Sequence, residues 1–240
     1  MEWISIYDEP EPVRSENDII YSTNPGRTQA TNEKFYILKG PSVEVVVAEA
    51  LGYRLAEAVG IDVPPCALCR HPRTGAVYFA SEEMPIRSVE LLFELGGVQN
   101  PSIIQDCFAF DVWVANVDRN IGGFVAAQLD HTGRHVRVYS IDYERCNVLR
   151  GVSGIAITAL ENRKLKTADH FVARRCFSGA FPAVACAAIQ AFSAAGINDI
   201  FAEVATALAP ASIPWMDSAA KFLHLRSQQI AVIAREVWNA

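Results

Sequence analysis

The stretch that decides the fold runs from Ala109 to Val148: AFDVWVANVDRNIGGFVAAQLDHTGRHVRVYSIDYERCNV. It reads as the end of a helix, a loop holding Asp118-Arg119-Asn120, a β-hairpin and a loop opening with Asp142. The hairpin strands are Phe124–Leu129 and His135–Ile141, turning on Asp130–Gly133. Acidic residues stand at both mouths of the hairpin, so two carboxylates are expected to face one cleft. Such a pair suits a metal-nucleotide phosphotransferase, in which one carboxylate orients the attacking hydroxyl and the other holds the metal on the phosphates.

The whole chain bounds this reading. Its 240 residues suffice for one large domain or two small lobes sharing an interface. Apolar content of 51% against 20% charged describes a folded protein rather than a disordered one. A net charge of −6 argues against nucleic acid or an anionic membrane as partner, since both favour a basic surface. No apolar run is long enough to span a bilayer. Met1–Pro12 is acidic where a signal peptide is basic, so a cytoplasmic location is expected. The six cysteines are scattered, as reduced buried thiols would be. Cys66, Cys69 and His71 have the spacing of half a zinc site, but no second ligand pair accompanies them, and they read as structural.

Before the central stretch the pattern is strand-rich. Trp3–Tyr7, Asp18–Tyr21 and Lys34–Leu38 read as strands, and the polar connector Ser22–Asn32 matches no strict phosphate-binding fingerprint. Ser42 is placed to cap a helix over Val43–Val59, with a buried stripe of Val46, Val47, Ala50, Leu51, Leu55, Ala58 and Val59. Cys66–Arg70 and Ala76–Ala80 are two more strands, turning at Pro72–Gly75. The order describes an antiparallel sheet carrying one helix. Lys39 closes an apolar strand, where an ammonium is costly without an anion, and Glu49 lies at the edge of the helical stripe. A strand lysine and a glutamate on the next helix anchor nucleotide phosphates in kinase folds; the plain alternative is an ordinary ion pair. Ser81–Pro85 breaks the sheet pattern and reads as the link to a second lobe. In a two-lobed nucleotide fold such a link, here Glu83 and Met84, presents backbone groups to the adenine.

The rest is helical. Val89–Leu95 is short, and a longer helix starts at Pro101-Ser102. Asp111 sits among apolar neighbours on that helix and is expected to brace the Asp118 loop. Further helices are read at Ile155–Leu165, Asp169–Phe177, Pro182–Ala195 (ended by Gly196), Ile200–Leu208 (capped by Asn198 or Asp199) and Asp217–Val237. On the last, Phe222, His224 and Arg226 fall off the core stripe.

Taken together, the chain resembles the HipA-like kinases, a bacterial group similar in fold to protein kinases and phosphatidylinositol 3- and 4-kinases. The resemblance is carried by strand-ending Lys39, by the helix from Glu49 to Gly60 with its exit Ile61-Asp62-Val63-Pro64, and by Phe110-Asp111 through Asn116, Asp118, Arg119 and Asn120. Ile141-Asp142-Tyr143 and the late Ile213-Pro214-Trp215, followed by a helix holding Arg226, extend it. It implies an α+β, bilobal fold, with a small sheet lobe over 1–84 and a helical lobe over 85–240, and ATP between them. It further implies that Lys39, positioned by Glu49, contacts phosphates, that Asp118 is the catalytic aspartate and that Asp142 binds magnesium. Arg119, beside Asp118 in the catalytic loop, is expected to hold the loop rather than touch substrate.

One residue departs from the family. Its loop typically reads Asp-Arg-Asn-x-Gly-Asn, the last amide supplying a magnesium ligand; here it reads Asp118-Arg119-Asn120-Ile121-Gly122-Gly123. Glycine has no side chain to coordinate a metal, and magnesium requires oxygen ligands. Asn120, water or Glu144 are the available substitutes, and Gly123→Asn is the obvious restoration. The function expected is phosphate transfer from Mg-ATP to a protein or small-molecule hydroxyl. The alternatives are a pseudokinase that binds nucleotide or protein without turnover, and the same fold transferring AMP to a protein.

Overall fold

The computed structural model describes residues 1–6, 11–12, 26–116, 118–151, 179–208 and 213–239. It is a mixed α+β structure. The expected strand at Asp18–Tyr21, the first part of the Ser22–Asn32 connector and the helices at Ile155–Leu165 and Asp169–Phe177 lie outside the described residues.

A six-stranded sheet has the order β1-β5-β6-β4-β3-β2. Its strands are β1 (Trp3–Ile4), β2 (Glu11–Pro12), β3 (Gly26–Gln29), β4 (Phe35–Lys39), β5 (Cys66–Arg70) and β6 (Val77–Glu82). Two expectations are corrected here. The connector before Lys34 itself contains β3, paired antiparallel to β4. The sheet is also not wholly antiparallel, because β1 runs parallel to β5 at its edge. Pairing partners distant in sequence leave no local mark, so neither feature follows from residue alternation. Strand β6 runs two residues past the expected end, to Glu82.

Strand periodicity orients the sheet. In β4, Tyr36 and Leu38 enter a small core with Ile6, Ala30, Cys69 and Ala80. Ile37 and Lys39 therefore face the opposite side, opposite Ser81 and Phe79 of β6 in register. Helix α1 (Val43–Ala58) packs on that side. Ser42 caps it as expected, its hydroxyl accepting from the amide of Val45 at 3.3 Å. Its buried face stops at Ala56, so Ala58 and Val59 of the expected stripe are not buried.

Helix α2 (Glu90–Leu95) precedes α3 (Ile103–Val114). Apolar around nearly its whole circumference, α3 is the central helix, and only Gln105 and Asp106 escape full burial. The hairpin β7 (Phe124–Gln128) and β8 (Val136–Ser140) follows, close to its expected bounds. One continuous core joins α1, α3, the hairpin and the later helices, and an Arg54–Glu203 ion pair at 3.1 Å ties α1 to that helical part.

The later helices break where period alone does not predict. Instead of ending at Gly196, the first gives α4 (Ala183–Ala191), an extended Phe192, and α5 (Ala194–Leu208). The Ser193 hydroxyl accepts from the Gly196 amide at 3.0 Å, so Ser193 caps α5 rather than Asn198 or Asp199. The last expected helix is two, α6 (Met216–Ser227) and α7 (Ile230–Asn239). On α6, Phe222 and Arg226, expected off the core, are buried. The Arg226 Nε donates to the Val112 carbonyl of α3 at 2.8 Å, and burial lowers its pKa to about 10. Among the described residues no single helix is long and apolar enough to cross a membrane; α4 with α5, bent by 79°, passes on length and composition only.

Candidate active site

The site begins with Lys39, which strand alternation aims at α1 and at the loop after β8. Its ammonium lies 3.1 Å from a Glu49 oxygen, 2.5 Å from an Asp142 oxygen and 3.5 Å from a Glu144 oxygen. Burial alone would lower the lysine's pKa, but Glu49, Asp142 and Glu144 outweigh it and hold the ammonium charged, above its ordinary value. Burial pushes Glu49 up, and Lys39 only partly offsets that.

Glu49 has a second duty. The oxygen that meets Lys39 also accepts the backbone amides of Tyr143 at 3.1 Å and Glu144 at 3.0 Å. It thereby fastens the Asp142 loop to α1. Tyr143 completes the fastening: it is fully buried, donates its hydroxyl to Ser140 at 2.7 Å and packs edge-on against Tyr53 and Phe110. Gly52, on α1, makes this approach possible, since a Cβ there would lie 2.4 Å from Tyr143. Asp142 itself has a left-handed backbone (φ 71°), a conformation Asp tolerates better than most residues. With Tyr143 turned into the core, Asp142 and Glu144 both point to the cavity.

The catalytic-loop candidates hang from α3. The helix ends at Ala115 in left-handed geometry. Asn116 donates to Asp111 at 2.9 Å and accepts the Asp118 amide at 3.1 Å. Arg119 is buried; its Nε and Nη2 donate to the two Asp111 oxygens at 2.9 and 3.2 Å. Its Nη1 donates to the Gly123 carbonyl at 3.0 Å and to the Ile141 carbonyl. Asp111 and Arg119 thus clamp the Asp118 loop to the residue before Asp142. Arg119 does not line the cavity. Asp118 does, with its side chain 54% exposed and Arg145 3.8 Å away. Asn120 also lines it; its side-chain oxygen accepts the Gly122 amide at 2.9 Å, capping a 3-10 turn at Ile121–Gly123.

A cavity of about 310 Å³ gathers the candidates: Lys39, Glu49, Glu83, Met84, Asp118, Asn120 and Asp142 all line it. Its apolar lining comes from Ile37, Tyr53, Phe79, Val125 and Ile141. Glu83 is held by Arg27 at 2.8 Å and Arg87 at 2.6 Å, which rigidifies the link after β6. Tyr53, Ser81 and Arg87 also line the cavity, beyond the candidates that the sequence offers. Tyr53 was within reach, one helical turn beyond Glu49, whereas Arg87 lies in a link with no periodicity to read. At Cys66, Cys69 and His71, the His71 Nδ1 accepts two amides of the Pro72–Gly75 turn.

No protein-family model matches the sequence, and no curated protein matches it. Solved structures do. The proinflammatory kinase CtkA of Helicobacter pylori superposes with a TM-score of 0.50 at 13% identity, over 98% of each chain. A structure of the HipA–HipB toxin–antitoxin system of Shewanella oneidensis MR-1 with its operator DNA superposes at 0.50 and 9% identity, over 98% of this chain and 70% of the other. At these identities the likeness is one of architecture, and it agrees with the resemblance read from the motifs: this chain is built on the HipA-like kinase fold.

Proposed function

We propose that the chain is an ATP-dependent kinase with a sheet lobe over 1–84 and a helical lobe over 85–240, transferring phosphate to a protein or small-molecule hydroxyl. The observation that carries this reading is one shared cavity onto which Lys39, Glu49, Asp118 and Asp142 converge from four separate segments. The apolar lining takes the adenine, with the backbone of Glu83 and Met84 beside it. Lys39 exchanges its Asp142 contact for a phosphate oxygen, while Glu49 keeps it aimed. Asp118, at the exposed mouth, orients the substrate hydroxyl. The hydroxyl oxygen bonds to the γ-phosphorus as the bond to ADP breaks, and its proton passes to Asp118.

The residues present fit magnesium, because carboxylate and amide oxygens are the hard donors it takes. Asp142, with Asn120 as the expected partner, would hold it. When bound, magnesium neutralises charge developing on the phosphates. A second reading, a nucleotide-binding module without turnover, is favoured by the missing side chain at Gly123. Thermal shift with ATP, with and without magnesium, followed by ATP turnover in wild type and Asp142→Ala, tests both. Magnesium-enhanced binding with turnover lost in the variant supports the kinase. Binding without turnover supports the module, and no binding overturns both.

A further inference from the structure

Resting on that nucleotide reading, we infer that Glu144 replaces the missing amide of residue 123 as the second protein ligand of magnesium, beside Asp142. Residue 123 cannot be the ligand position here. Gly123 is buried, is absent from the cavity wall, and a Cβ on it would lie 2.7 Å from the Arg119 guanidinium. The donor has to come from elsewhere.

The neighbours narrow the choice. Glu49 is committed: one of its oxygens accepts Lys39 and the amides of Tyr143 and Glu144. The Asn120 oxygen caps the Gly122 amide on an exposed turn. Glu144 is different. Its carboxylate is 7% exposed and lines the cavity; Lys39 donates to one oxygen in a long hydrogen bond of 3.5 Å, and Arg145 stands 3.7 Å from the other. A carboxylate buried that deeply is ordinarily held by short, charge-assisted hydrogen bonds. Lying two residues after Asp142, with Tyr143 turned inward, it presents its oxygens on the same side as Asp142. Ligand oxygens of Glu49, Asp142 and Glu144 lie within 4.8 Å of one another, and a small side-chain rotation brings two of them to the ~3–4 Å separation of ligands on one magnesium. The Lys39 ammonium faces all three of these carboxylates, and the Arg145 guanidinium reaches only Glu144 among them. Once Lys39 turns to a phosphate, a divalent cation is the charge that balances them.

The test measures manganese affinity by paramagnetic resonance, with and without a non-hydrolysable ATP analogue, in wild type, Glu144→Gln and Glu144→Ala. Analogue binding in the presence of a chelator is measured alongside, and thermal melting confirms that each variant is folded. In the analogue complex, manganese affinity is expected to fall about tenfold or more in both variants. Chelator-condition analogue binding should stay equal or tighten, because a negative charge leaves the phosphate end. Manganese affinity within twofold of wild type, or a wild type that binds no manganese, overturns the inference. So does a parallel loss of metal-free binding, which would mark Glu144 as packing. Absence of analogue binding in wild type with manganese still bound at Glu144 overturns the nucleotide reading instead, so the two failures are distinguishable.

Discussion

The guanidinium of Arg119 occupies the space that a side chain on residue 123 would need, 2.7 Å from where its Cβ would stand. Arg119 cannot yield, because Asp111 holds it on two nitrogens and the carbonyls of Gly123 and Ile141 hold the third. Gly123 is therefore coupled to the clamp that joins the Asp118 and Asp142 loops.

From this the restoration suggested by the family motif is expected to fail. Gly123→Asn should destabilise the fold by about 1–3 kcal/mol, the usual cost of overpacking a filled site, and should lower nucleotide binding rather than raise turnover. Thermal melting and turnover on the same preparation check it. A variant as stable as wild type with a faster rate would show that Arg119 moves aside.

The clamp itself should be costly to break. Arg119→Ala leaves Asp111 fully buried without its bidentate partner, a loss on the order of 3–5 kcal/mol. Asp111→Asn should cost comparably, and the double variant should cost clearly less than the sum, since the second change removes a partner already lost. Denaturant melts of the four proteins measure this, and additive losses would mean that the two side chains act separately.

These residues also mark how far the sequence reaches. Lys39, Glu49, Asp118 and Asp142 could be picked out because each stands at a recognisable junction: a strand end, a helix edge, a loop between helix and hairpin. Ser42 as cap and Asp111 as brace follow from local chemistry. What stayed hidden depends on partners remote in sequence. The parallel β1–β5 pair, the break before α5 and the burial of Arg226 against Val112 are set by tertiary contacts. The crowding of residue 123 by Arg119 is hidden for the same reason, because only the folded loop brings the two together.

Glu49 is expected to separate its two duties in two variants. Glu49→Gln keeps an oxygen to accept the Tyr143 and Glu144 amides but loses the charge facing Lys39; Glu49→Ala loses both. Alanine should thus be less stable than glutamine by about 1–3 kcal/mol, the cost of leaving buried donors unpaired. Both should bind ATP more weakly, because Lys39 is no longer aimed. Equal stabilities in thermal melts would mean that the amide contacts carry no weight.

The thiols provide a check on the core that is independent of any ligand. Burial pushes Cys66, Cys69 and Cys107 up to about 12 and Cys186 to about 11; Cys146 is raised by burial as well. The thiolate is the reactive form, and a raised pKa means less of it at any pH below that value. At pH 8 these cysteines should react with a disulfide reagent at least ~100-fold more slowly than an exposed thiol, by pKa alone. An ordinary thiol levels off as pH passes its pKa near 8.5; these should still be gaining about tenfold per pH unit at pH 9.5 while the fold persists. Of the six cysteines, only Cys176 lies outside the described residues, so the native protein should show no more than one fast thiol, and the full count only after denaturation. Two or more fast thiols at pH 8 would place part of this core in contact with solvent.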